Sequence, residues 1–216
     1  MKMKYLIIVF TLITFQNTFT QQSQISKAVN HISSYIASEE FLQLKNKIGD
    51  VSAVDSIFID ATKYTEGNIS DALLALMLAT VPYNEVPIQI PLFNSTLYYP
   101  LTSAEEKIFL AKNENLPEYL FFDTPQSDYG DKDKLAHFFG SAFLSNESNI
   151  FDIGKLIGYF VEAFEESFKV QSSVDIRDLD VNEYGRLFGK LLKENKDLLP
   201  SEIFLLRSIR FLRVTL

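Results

Sequence analysis

Apolar residues recur every three or four positions along most of this chain, and this spacing constrains the fold more than any other feature. It is clearest near the C-terminal end, where one side of a helical wheel collects Val181, Tyr184, Leu187, Phe188 and Leu191. Glycine and proline, which interrupt helices, occur only 8 and 7 times in 216 residues. The sequence therefore predicts a mainly α protein, folded as a compact helical domain.

Residues 82–101 break this helical pattern. They hold four of the seven prolines and alternate apolar positions with polar or proline positions. Proline cannot continue a helix and is tolerated mainly at sheet edges. We therefore expect a short extended or hairpin segment here, turning near Asn94 and Ser95.

The first 20 residues have the pattern of a secretory signal peptide. Two lysines precede an apolar run from Tyr5 to Phe15, and small polar residues follow it. A membrane-spanning helix needs roughly 20 apolar residues, so this run is too short to serve as an anchor. We expect cleavage near Thr20, no transmembrane helix after it, and a periplasmic or secreted protein whose residues 21–216 form one mostly helical domain.

Composition excludes several function classes. The chain has no cysteine, which excludes a disulfide framework, a thiolate metal site, a cysteine nucleophile and a lipidated cysteine. Its net charge is −8, and without Lys2 and Lys4 the remaining 18 basic residues face 28 acidic ones, a charge of −10. Such a chain would be repelled by phosphates, so we predict no nucleic-acid partner.

Local patterns predict where individual helices begin. Residues 25–48 suit one helix, and residues 70–80 suit another, with Ser70 as N-cap and Asp71 in the first turn. Residues 51–64, between them, are compatible with helix or strand. A further helix follows residue 102, where Thr102 and Glu105 have the spacing of a capping box.

The C-terminal segment sets Arg207, Arg210 and Arg213 among apolar residues. Two interpretations fit it: a basic amphipathic helix that makes peripheral contact with a membrane surface, or a terminal helix that packs its apolar face on the domain with its arginines outward.

Polar residues fall into stripes on the three helices expected within the motif-bearing core at 131–195. The first stripe joins Asp133, His137 and Ser141 on an otherwise apolar helix. The second and third stripes each pair polar residues with two glycines four positions apart. Glycine costs roughly 1 kcal/mol in a helix interior, so such pairs indicate a close backbone approach. We expect the two glycine stripes to pack together; their members are Gly154, Gly158, Glu162, Glu165 and Glu166, and Asp178, Asn182, Gly185 and Gly189.

These residues resemble a bacterial pattern with an Asp-Lys-x-x-His start, a glutamate on the next helix, and Arg-Asp-x-x-x-Asn-x-x-Gly-x-x-x-Gly. The pattern occurs in VanZ-like membrane proteins and YfiM-like periplasmic lipoproteins. The chain departs from the first group in lacking their transmembrane helices and from the second in lacking the lipidated cysteine. The resemblance implies a shared helical core, a place in the cell envelope and a polar cluster, but no mechanism. The matching residues are Asp133, Lys134, His137, Glu162 or Glu166, Arg177, Asp178, Asn182, Gly185 and Gly189.

Three functions remain open for this cluster. It can be a scaffold, because buried polar groups nearly always find partners and such networks fix helix register. It can belong to a binding module that presents either this polar pocket or the segment at residues 86–101 to an envelope component or a protein partner. The ligand-binding candidates of the pocket are then Lys134, Glu166, Arg177, Asp178 and Asn182.

The third function is a hydrolase. Here Asp133 orients His137 as general base, and Glu162, Glu166 or Asp178 supplies the acid or holds a cation. One imidazole among several carboxylates suits magnesium, calcium or manganese better than zinc. No Gly-x-Ser-x-Gly elbow, His-Glu-x-x-His pair or phosphate loop is present. The sequence identifies neither a cofactor nor a particular metal.

Overall fold

The computed structural model describes residues 24–83, 85–90, 95–100, 104–127, 129–147 and 176–210. These residues are mainly helical, which confirms the predicted fold class. None of the helices among them combines the length and the apolar character needed to cross a membrane. In chain order the elements are α1 (24–36), α2 (Glu39–Ile48), α3 (Asp50–Tyr64), α4 (Ile69–Thr80), β1 (Glu85–Ile90), β2 (Ser95–Pro100), α5 (Glu106–Asn115), α6 (Lys134–Asn146), α7 (Ile176–Leu191) and α8 (Pro200–Ile209).

Strands β1 and β2 form the expected antiparallel hairpin. Their register pairs Glu85 with Pro100 and Ile90 with Ser95. Ser95, near which the turn was expected, is already paired within β2, and residue 94 lies outside the described residues.

The single helix expected over residues 25–48 is in fact two helices. Ser38 separates them: its side chain accepts a hydrogen bond from the backbone N–H of Phe41 and caps α2, and Glu39 and Glu40 follow in the first turn. A serine followed by two acids is an N-cap pattern, and the continuing apolar periodicity obscured it. Residues 51–64, which the sequence left open between helix and strand, are helical in α3.

Two predicted caps are also wrong. Helix α4 is capped by Asn68, whose side chain accepts from the N–H of Asp71, so Ser70 lies inside the helix. Ser70 instead donates to Glu147 at 2.5 Å. Helix α5 has Glu105 at its N-cap without a side-chain cap bond, so the expected capping box does not start this helix.

The core is centred on α4 and α6. Most of α4 is buried, and α6 is buried continuously from Lys134 to Phe143. Phe138 of α6 stacks on Phe188 of α7 at 5.1 Å and meets Phe204 of α8 edge-on at 4.8 Å between ring centroids. These aromatic contacts hold the last two described helices against α6 and so place the polar ends of α6 and α7 side by side.

The arginines of the C-terminal helix do not all face outward, so that prediction is wrong for Arg207. Arg207 is 1 % exposed, lies over the Phe121 ring at 4.1 Å, and binds Asp123 and Asp180. Arg210 is exposed and pairs with Asp180 at 3.0 Å. Residue 213 lies outside the described residues. Peripheral membrane contact through this segment stays a prediction, and the buried Arg207 cannot supply its charge.

Candidate site between α6 and α7

Two glycines bring α7 into backbone contact with α6. A Cβ atom at Gly185 would lie 2.3 Å from the carbonyl oxygen of Phe138, and one at Gly189 would lie 2.0 Å from that of Ala142. Only glycine fits such an approach without moving a helix. The close backbone approach predicted from Gly185 and Gly189 is present, but the partner is α6. The other predicted glycine stripe lies outside the described residues.

This packing sets the N-terminal turn of α6 beside that of α7. Asp133 occupies the N-cap position of α6 but makes no capping bond to the helix backbone. Its carboxylate instead binds the Lys134 ammonium at 2.9 Å. Asp178 and Asn182, one turn apart on α7, face Lys134 and His137 across the contact.

Lys134 is the centre of the cluster. Its Nζ lies 2.9 Å from Oδ2 of Asp133 and 2.5 Å from Oδ1 of Asp178, so one ammonium joins the two helices. The side chain is only 5 % exposed. Burial by itself lowers the pKa of Lys134, but the carboxylates of Asp133 and Asp178 outweigh it and raise the pKa above the ordinary value. The lysine is therefore charged at neutral pH.

The two ring nitrogens of His137 face two different polar side chains of α7, those of Asn182 and Asp178. Its Nδ1 lies 3.3 Å from Oδ1 of Asn182, and its Nε2 lies 3.6 Å from Oδ1 of Asp178. Ser141 donates to the same Asn182 oxygen at 2.9 Å. Burial lowers the pKa of His137 more than Asp178 and Asp133 raise it, so the imidazole is neutral at neutral pH.

Two tyrosines border the cluster. Tyr83 precedes the hairpin and Tyr129 precedes α6. Partial burial, together with the negative charges of Asp133 and Asp178, raises the pKa of both hydroxyls, that of Tyr129 to about 12. Both are therefore hydrogen-bond donors at neutral pH. Neither tyrosine was predicted from the sequence, because neither lies on a helical stripe.

Three side chains of the cluster have the donor atoms of a metal site. One ligand atom each from Asp133, His137 and Asp178 lies within 4.8 Å of the other two. An imidazole nitrogen and two carboxylate oxygens suit manganese and other first-row divalent ions.

Arg177 belongs to a second ionic network. Its guanidinium binds Asp131 at 2.7 Å and Asp123 at 3.3 Å, and Asp123 also accepts two hydrogen bonds from Arg207. The Arg207 hydrogen bonds, more than those of Arg177, hold the pKa of Asp123 at about 2. Asp131 is fully buried and also binds Thr124 and the N–H of Leu120. The predicted ligand residue Arg177 is thus engaged in fixing the segment between α5 and α6.

Of the eight predicted site residues, six lie in these two networks. Asp133, Lys134, His137, Asp178 and Asn182 converge, and Arg177 adjoins them. Glu162 and Glu166 lie outside the described residues. Compared with models of known protein families, with curated proteins and with solved structures, the chain matches none of them.

Proposed function

We propose that the chain is an exported, helical binding protein of the cell envelope, in which the polar cluster holds together the helices that form the binding surface. The observation that carries this proposal is the position of Lys134. Its ammonium is bound to both Asp133 and Asp178, so the charges that could serve chemistry are used in a contact between α6 and α7.

A buried ion bridge of this kind fixes geometry at a cost in desolvation. Removing one partner leaves the others as uncompensated buried charges, which destabilises a protein by about 3–5 kcal/mol. Lys134 is the only positive charge that binds both carboxylates among the described contacts, so its loss leaves Asp133 and Asp178 facing each other. The bridge therefore positions the ends of two helices with one side chain.

The structural test replaces Lys134 with methionine, which keeps most of the side-chain volume. Lys190, exposed on α7, gives the matched control Lys190→Met. We expect Lys134→Met to lower the free energy of unfolding by about 3 kcal/mol, and the control to change it by less than about 0.5 kcal/mol. Equal stabilities of the two variants in urea would show that the cluster does not clamp the helices.

Aromatic side chains between α5 and α6 supply a contact surface for the partner. Tyr119 and Phe122 are 50 % and 63 % exposed, and Tyr129, beside the cluster, is 46 % exposed. Aromatic residues are enriched in protein interfaces. The ion pairs of Asp123 and Asp131 hold this segment on the domain, so the surface is preorganised.

The binding test uses the insoluble cell-wall fraction and the membrane fraction of a bacterial host. We expect the exported protein to sediment with one of them, and a Tyr119→Ser/Phe122→Ser variant of unchanged melting temperature to remain in the supernatant. Sedimentation of neither protein, or of both equally, would contradict a binding role for this surface.

Export is tested at the N-terminus. The apolar run supports a cleaved signal peptide, and we expect mass spectrometry of the exported protein to find an N-terminus near Gln21. Arginine in place of Ile8 interrupts the run and should leave the protein uncleaved in the cytoplasm, whereas Ile8→Leu should be exported normally. Cleavage of the Ile8→Arg variant would argue against this route.

A second candidate is a hydrolase of an envelope component, and the neutral, buried His137 favours it. With Nδ1 held by Asn182, Nε2 is the nitrogen that would accept a proton from water. Glu162 stays the predicted acid. Release of soluble fragments from cell-wall material by the wild type, lost in His137→Gln, would support this candidate; no release by the wild type would count against it.

A further inference from the structure

We propose that Asp133, His137 and Asp178 form a site for a first-row divalent metal ion such as Mn²⁺, and that the Lys134 ammonium competes with the ion for it. This inference rests on the proposed function, in which a buried cation, the Lys134 ammonium, joins α6 to α7. It adds that a metal ion can replace the ammonium in this position.

The ligand atoms already have nearly the required spacing. Metal bonds to nitrogen and carboxylate oxygen are about 2.0–2.2 Å long, so two ligands of one ion lie no more than about 4.4 Å apart. The three ligand atoms lie within 4.8 Å of one another. Side-chain adjustments of a few tenths of an ångström would close the difference.

The environment of His137 is that of a metal ligand. Oδ1 of Asn182 faces Nδ1 and also accepts from Ser141. An amide oxygen has no proton to donate, so Nδ1 carries the hydrogen and the lone pair is on Nε2, toward Asp178. Histidines that bind metals are almost always held in this way by an acceptor on the other nitrogen.

A second observation concerns Asp133. Its Oδ2 binds Lys134, but its Oδ1 is buried and accepts no hydrogen bond from any residue that the structure describes. A buried carboxylate oxygen without a donor is costly. A cation within reach of Asp133 and Asp178 would satisfy it.

In the structure, the Lys134 ammonium takes the position between the helices that a metal ion would otherwise occupy. Its ammonium is a compact charge on a flexible four-carbon stem, so it can leave the cluster for solvent by rotation of its side chain. A divalent ion offers twice the charge but must shed water to enter. Lysine and metal would then alternate as the charge that links the helices.

The decisive variant removes the competitor. In Lys134→Ala we expect calorimetric titration with Mn²⁺ to give binding at least about tenfold tighter than in the wild type. We also expect saturating Mn²⁺ to restore much of the melting temperature that the substitution removes. Should Lys134→Ala not fold, Lys134→Gln, which keeps a neutral donor of similar length, takes its place.

The second histidine of the chain provides a matched control. His31 pairs with Asp60 at 2.9 Å and stacks on Tyr64, on α1 and α3. Adding His137→Ala to Lys134→Ala should abolish the tight Mn²⁺ binding, whereas adding His31→Ala should leave it unchanged. Binding no tighter than in the wild type, or binding that survives His137→Ala, would overturn the metal site.

These outcomes separate the two proposals. The stability of the lysine variants without metal tests the clamp between α6 and α7. The affinity for Mn²⁺ tests the metal site, whatever the effect on stability.

Discussion

Gly189→Ala is the substitution whose consequence follows most directly from the geometry. The new Cβ would lie 2.0 Å from the carbonyl oxygen of Ala142 and 2.3 Å from Oγ of Ser145. A carbon–oxygen contact needs about 3.3 Å, so α6 and α7 must separate locally by about 1.3 Å. The blocking atom at 2.0 Å belongs to backbone, which cannot rotate away.

The energetic cost combines three effects. Overpacking of a well-packed contact costs about 1–3 kcal/mol. The separation also strains two hydrogen bonds beside it, from Ser145 to the carbonyl of Arg186 and from Asn146 to that of Gly189, each contributing about 1 kcal/mol. Alanine has a higher helix propensity than glycine, which offsets this loss of stability by about 1 kcal/mol. We therefore expect a net loss of about 2–4 kcal/mol, which lowers the melting temperature by about 4–16 °C in a protein of this size.

Urea denaturation followed by circular dichroism measures this loss, and two other glycines calibrate it. At Gly185 the added atom would meet the Phe138 carbonyl at 2.3 Å, so Gly185→Ala should be nearly as harmful. At Gly140 it would meet only the flexible Met77 side chain, at 3.0 Å, so Gly140→Ala should stay within about 1 kcal/mol of the wild type. If Gly189→Ala proves as stable as Gly140→Ala, the close contact between α6 and α7 is wrong.

Two further predictions concern pH. Burial lowers the pKa of Lys112 from 10.5 to about 7, so unfolding takes up a proton between these values and stability rises with pH across that window. Lys112→Met should remove a rise of about 1.4 kcal/mol per pH unit, measured against the wild type by urea denaturation at pH 7, 8.5 and 10. Arg207 holds the pKa of Asp123 at about 2, below its ordinary 3.8, so this carboxylate stabilises the fold above pH 3.8 and the contribution is lost as pH falls toward 2. In Arg207→Met the acid-unfolding midpoint should move upward; an unchanged midpoint would contradict this pairing.

The helical class was predictable because it depends on a repeated local pattern. Apolar spacing summed over many residues is insensitive to any one position, whereas a helix boundary depends on one or two. At Ser38 the apolar spacing continues across the boundary between α1 and α2. It therefore predicts one helix, although the N-cap pattern at Ser38 indicates two. At α4, Asn68 and Ser70 are both good caps, and local sequence does not decide between them.

The cluster was partly predictable for the same reason. A helical wheel places Asp133 with His137 and Asp178 with Asn182, since each pair is one turn apart. The wheel does not say which helices meet. Gly185 and Gly189 signalled a close backbone approach, but α6 became their partner through the Phe138 and Phe188 contact, which depends on the whole core.

The second network could not have been predicted from local pattern. Arg207 and Asp123 are 84 positions apart. In the sequence, Arg207 and Arg210 are equivalent basic residues of one short C-terminal segment. The fold buries Arg207, which lies over the Phe121 ring and binds Asp123, and leaves Arg210 exposed.

The two networks meet at the first turn of α7, and this junction gives a last prediction. Two adjacent residues there belong to different networks: Arg177 binds Asp131 at 2.7 Å, while Asp178 binds Lys134 at 2.5 Å. The position of Asp178 in the cluster therefore depends on a neighbour that is not itself a metal ligand. In a Lys134→Ala background, Arg177→Met should weaken Mn²⁺ binding by at least about threefold, since the loss of a residue that orients a metal ligand typically costs a site 10- to 100-fold in affinity.

Substitution of exposed Arg186 on the same helix provides the control for that experiment. Arg186→Met removes the same charge without touching Asp131, so it separates geometry from net charge. A loss of affinity confined to Arg177→Met would mean that the ion pair positions Asp178. Equal losses in both variants would mean that the overall charge of α7 governs the affinity, and the coupling between the two networks would be refuted.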